Sequence, residues 1–184
     1  MLEEFKNAFD RPNNGHVQLI IINVAVFVLL SILLVVAGWT GIQSVAELVY
    51  KQFSIPSEFN EFITRPWTII TYAFNHSFYD IWHIVFNMLF LYWFGKLIVE
   101  YLGSEKLIAL YVLGAIAAAL VYLAIYNLIP SRPEFLKVGG MIGASGAVFA
   151  IMVGAATLLP DYTFFLLILG PVRIKYIAAF FIFI

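Results

Sequence analysis

Ser145 stands between two glycines, in Gly143-Ala144-Ser145-Gly146, inside the apolar run Gly139 to Phe149. A hydroxyl in that setting is an odd choice for packing alone. Two more polar side chains, His83 and Asn87, sit four residues apart in another apolar stretch. A helix puts them on one face. Serine attacks only with an activating base and a means of stabilising the charge that follows. The elements around these residues decide whether such chemistry is open to them.

The chain has 184 residues, enough for one domain. It is 63% hydrophobic and 11% charged, too apolar for a soluble core, and reads as an all-α polytopic membrane protein. The net charge of −1 implies no bulk attraction to nucleic acid or acidic lipid. Without cysteine there is no thiol or zinc–thiolate chemistry, and no cofactor or metal site stands out. The polar segment 1–15 lacks the form of a cleaved signal peptide.

Five apolar segments follow. Residues 17–39 are long enough to cross, with Asn14 and Gly15 as a cap and Asn23 and Ser31 as the polar exceptions. Residues 41–80 form a long interfacial loop. Ser44 to Glu47 reads there as a capping box, and Phe59, Phe62 and Ile63 as an amphipathic turn. Trp67, Tyr72 and Trp82 read as interfacial belt residues. The second span is 81–101, with Asp80 as N-cap. The third is 107–128, after a tight turn at Gly103-Ser104-Glu105. Its Gly114 and alanines suit close helix contact. The fourth is 141–159, and the fifth is 173–184. The run Tyr162 to Pro171 is too short to cross.

About 12 residues from 173 give roughly half a bilayer of helix. The expectation is a cut inside a fifth helix, with sequence downstream. Lys and Arg lean towards a cytoplasmic N-terminus. By parity the starts of the second and fourth spans share one side, so His83, Asn87 and Ser145 can meet.

Ser145 to Pro160 gives roughly 22 Å of helix against ~30 Å of hydrocarbon. Ser145 then lies roughly 8 Å below the surface. Free N–H groups at that depth need a wet cavity or protein partners. With the positive end of the helix dipole they are the ingredients of an oxyanion site. Packing is the competing reading. Gly139, Gly143 and Ala147, and Gly146, Ala150 and Gly154, form small-residue rows. His83 alone reads as interfacial, Asn87 as either functional or a structural hydrogen bond, and His76 as a loop residue.

Arg65-Pro-Trp-Thr, His83-Ile-Val-Phe-Asn87, Phe94-Gly95 to Glu100 and Gly143-Ala-Ser-Gly146 together resemble the rhomboid family of intramembrane serine proteases. The resemblance implies a six-helix bundle cleaving single-span membrane proteins in the bilayer. It implies Ser145 as nucleophile, with His83, Asn87 and the Ser145 N–H on the oxyanion. Gly143 and Gly146 would shape the motif backbone. Phe149 would hold the place of the aromatic that packs on the base. The family's base is a histidine on the sixth helix. The histidines here are His16, His76 and His83, all before the serine. The 184 residues alone are therefore expected to be inactive. Two other classes compete: a non-proteolytic rhomboid-like binding or quality-control protein, and a small transporter, for which no inverted repeat is apparent. A bacterial plasma membrane is the expected location.

Overall fold

The computed structural model describes residues 7–10, 12–129, 140–166 and 170–183. Gly139 and the expected polar loop from Pro130 to Lys137 lie outside them. Among the described residues, three helices are long and apolar enough to cross a membrane: α1, Gly15–Thr40; α5, Ile81–Leu102; and α6, Ser104–Leu128. Between α1 and α5 come the short helices α2 (Gln43–Lys51), α3 (Phe59–Thr64) and α4 (Thr68–Thr71), then a 3-10 turn at Tyr72–Phe74. The serine helix α7 is Ser145–Leu158, and α8 is Ile174–Phe183.

Gly103 joins α5 to α6 by itself. Its φ of 84° lies in the left-handed region, which a side chain would strain. At that same end the Gly15 N–H donates to Ser104 Oγ at 2.9 Å, so the start of α1 is fixed beside the turn.

Helix α7 packs against α5, α6 and α8. Its contact with α6 is made by small residues on both sides. A Cβ added to Gly114 would stand 2.5 Å from Ala150 Cβ, and one added to Gly146 would collide with Ala118. Backbones approach this closely only where side chains are nearly absent. Tyr111, Leu107, Leu91, Ile98, Ile151 and Met152 fill the core around that crossing.

Polar groups inside the bundle find one another. Tyr111 Oη donates to the Ala73 carbonyl at 2.7 Å, and Asn23 Nδ2 donates to Tyr111 Oη at 3.1 Å. The carbonyls of Lys51, Gln52 and Phe53, left free at the end of α2, accept from Arg65 Nη1, Thr71 Oγ1 and Asn75 Nδ2. Arg65 also pairs with Glu61. It is therefore a tie within the loop.

Several local expectations need correction. Helix α2 starts at Gln43, capped by Ile42 without a side-chain bond, so the Ser44 capping box does not form. Asn14 makes no side-chain cap either; its amide donates to the Ala8 carbonyl at 3.3 Å. Tyr72 is not a belt residue. It is 1% exposed, in the core, whereas Trp67 and Trp82 do face outward. The bundle is mostly helical, but the short run after α7 folds as an antiparallel hairpin, β1 (Thr163–Leu166) on β2 (Gly170–Arg173). Phe164 turns back beneath Trp93 and Phe94. Residues 141–144 are not helical; α7 opens at Ser145.

Candidate functional site

Asp80 starts α5 as expected, its carboxylate accepting the Trp82 N–H at 3.1 Å. The helix then projects His83 and Asn87 one turn apart. Asn87 is buried, and its Nδ2 donates to the His83 carbonyl at 2.7 Å. A side-chain amide has two N–H donors, so one is still open. His83 is half-buried.

The chain reaches the serine through a single isolated β-bridge at Met141. Met141 exchanges both backbone hydrogen bonds with Ile55 of the loop, at 2.9 and 3.0 Å. The Gly143 N–H donates to the Tyr72 carbonyl at 3.0 Å. These partners satisfy non-helical backbone where lipid would not. Gly143 then turns the chain at φ 113°. A Cβ there would stand 2.6 Å from His83 Nε2. Glycine at 143 thus serves both the turn and the imidazole. It is not part of a helix-packing row, whereas Gly146 is.

The first bond of the α7 ladder runs from the Val148 N–H to the Ala144 carbonyl at 2.9 Å. The N–H groups of Ser145, Gly146 and Ala147 lie ahead of that ladder, at the positive end of the dipole. Ser145 itself is exposed. It lines a cavity of about 420 Å³ together with His83, Asn87, Asp80 and Phe149. The structure therefore brings Ser145, His83 and Asn87 to one cavity. Phe149 is half-exposed one turn below the serine, with its ring 6.3 Å from that of Phe181 on α8.

His76 also belongs to this end, which its loop position did not suggest. Its ring stands edge-on to His83, with centroids 5.2 Å apart, and is 2% exposed. Burial first, and then the neighbouring His83, together bring its pKa down from 6.5 to about 4. A base works best with a pKa near the operating pH, so His76 is a poor candidate for that role. His16 is at the opposite end, against Tyr92.

Once a base takes the hydroxyl proton, a helix N-terminus and two further donors beside a serine in one cavity could stabilise the charge that acyl transfer develops. The model of the Rhomboid domain family matches residues 64–184, a span that holds every one of these groups.

The chain belongs to the rhomboid family.

It is 38% identical over 119 residues to RHOMBOID-like protein 12, mitochondrial, of Arabidopsis thaliana, covering 57% of this chain and 33% of that one. It is 34% identical over 112 residues to Rhomboid protein 1, mitochondrial, of Saccharomyces cerevisiae, covering 61% and 30%. Presenilin-associated rhomboid-like protein A, mitochondrial, of Danio rerio is 29% identical over 98 residues, covering 53% and 24%. The match therefore spans about a third or less of each relative's length. All three names say mitochondrial, so they lend no support to the bacterial plasma membrane expected from the sequence. This rhomboid is an integral membrane protein by its spanning helices and its family.

Proposed function

We propose that this rhomboid chain carries the nucleophile and oxyanion site of an intramembrane serine endopeptidase. The observation behind the reading is the shared cavity of Ser145, His83 and Asn87 at the start of α7. Ser145 Oγ attacks the carbonyl carbon of a peptide bond in a single-span membrane protein. The new C–O bond puts negative charge on the carbonyl oxygen. His83, the open N–H of Asn87 and the Ser145 N–H donate to it. The C–N bond then breaks, the amine leaves with a proton, and water releases the acyl group. No step calls for a cofactor.

The hydroxyl proton must go to a base. His83 is assigned to the oxyanion, and His76 is held near pKa 4. The reading therefore requires a base that these 184 residues do not supply, and the 184 residues alone are expected to be inactive.

Lys96, Lys106, Arg173 and Lys175 gather at the end away from the serine. We place that end, with the N-terminus, on the side where positive loops are retained. The cavity then opens to the opposite face.

Covalent trapping tests the assignment. Full-length protein treated with a fluorophosphonate should carry the adduct on Ser145, located by mass spectrometry, and Ser145→Ala should carry none. Labelling that survives Ser145→Ala, or no labelling of the full-length protein, removes the nucleophile.

A further inference from the structure

Tyr72 has no part in the chemistry above, yet its backbone and its side chain between them reach both sides of the serine. Its backbone carbonyl accepts the Gly143 N–H at 3.0 Å, two residues before Ser145. Its ring runs into the crossing of α6 and α7, where the phenol donates to the Ala115 carbonyl at 2.7 Å. The phenol oxygen lies 3.7 Å from where a Cβ on Gly146 would stand. The turn residue Gly143 is thus met by the backbone of Tyr72, and Gly146, just after the serine, is neighboured by its side chain, which is anchored on α6. In an apolar interior no water is at hand to replace that bond.

We infer that Tyr72 is a positioning residue for Ser145. Its phenol fixes the ring along its own axis. The ring fixes the carbonyl, and the carbonyl fixes Gly143 against His83. The height of the Ser145 hydroxyl relative to His83 and Asn87 follows. Phenylalanine would fill the same volume but could slide. A shift of about 1 Å at a reacting group costs as much as about 10²-fold in rate. This role rests on the protease reading of the same site.

The test uses full-length protein in detergent, as wild type, Tyr72→Phe, Ser145→Ala and Asn127→Ala. Asn127 is the control: it ties Ser57 and Phe59 of the same loop to α6, away from the serine. Two quantities are read: cleavage kinetics on a single-span substrate, and hydrogen exchange of the peptide spanning 140–146. Tyr72→Phe should lower kcat about three- to tenfold, the size of one net hydrogen bond, with KM within about twofold. It should also speed exchange in 140–146. Asn127→Ala should do neither. Unchanged kcat or unchanged exchange in Tyr72→Phe overturns the inference, as does an equal effect from Asn127→Ala. If wild type cleaves no better than Ser145→Ala, the protease reading fails, and the effect of Tyr72 on cleavage fails with it. The exchange rates then decide by themselves whether Tyr72 holds the motif.

Discussion

Gly143 lies against the imidazole of His83, so closely that a Cβ at 143 would stand 2.6 Å from Nε2. Two constraints meet at one residue, since its φ of 113° is also one that side chains rarely adopt. The serine motif is therefore coupled to α5 through contact, not only through the shared cavity.

Gly143→Ala is expected to break that coupling. The left-handed backbone alone costs roughly 1–2 kcal/mol, and the imidazole must move as well. Cleavage by the full-length protein should fall at least about tenfold, and the thermal midpoint in detergent should drop. Retention of both within error would show that His83 does not need its present place.

The α6–α7 crossing is expected to reject volume. Gly114→Leu places atoms where Ala150 already stands. Overpacking of this kind costs typically about 1–3 kcal/mol. The added atoms would also press on the Ala147 Cα and the Gly146 carbonyl, next to Ser145, so stability and cleavage should fall together. Chemical denaturation in mixed micelles, compared with Gly38→Leu, measures the loss of stability; Gly38 has open space around it and should be neutral.

The buried pair Asn23 and Tyr111 is expected to be worth about 0.6 kcal/mol, and at most about 1.7, as interhelical hydrogen bonds in bilayers are. Asn23→Leu and Tyr111→Phe, singly and together, give the coupling by a double-mutant cycle. A coupling near zero would mean that the Ala73 carbonyl alone holds the phenol.

His76 sets a pH dependence. Its folded pKa is near 4 and its ordinary value 6.5. Between those values the unfolded chain takes up a proton that the native state refuses. Stability is therefore full above about pH 6.5 and falls as pH falls towards about 4, by up to about 3 kcal/mol. Thermal midpoints at pH 7 and 4.5 should separate in the wild type and converge in His76→Gln. Equal separation in both would assign the effect to other groups.

Parity and helix period were enough to send His83, Asn87 and Ser145 to one end, because both depend only on counting spans and residues. The small faces of α6 and α7 were legible for the same reason: Gly114, Gly146 and Ala150 recur at helical spacing. Tyr72 was not. A tyrosine in an interfacial loop reads the same whether it faces lipid or core, and the Ala115 carbonyl that takes its hydroxyl is 43 residues away. The hairpin at Thr163 was hidden because a short apolar run has no period that separates strand from helix. The Ile55–Met141 pairing is set by tertiary contact, with no local signal. His76 became part of the site only when the 3-10 turn at Tyr72–Phe74 placed its ring against His83.

The central claim is that the Ser145 hydroxyl attacks a peptide bond within the membrane. The most direct measurement is gel-resolved cleavage of a single-span substrate by purified full-length protein, wild type against Ser145→Ala, with the 184-residue chain run beside them. The expected result is cleavage by the wild type and none by Ser145→Ala or by the 184 residues alone. Cleavage by Ser145→Ala at the wild-type rate would contradict the account.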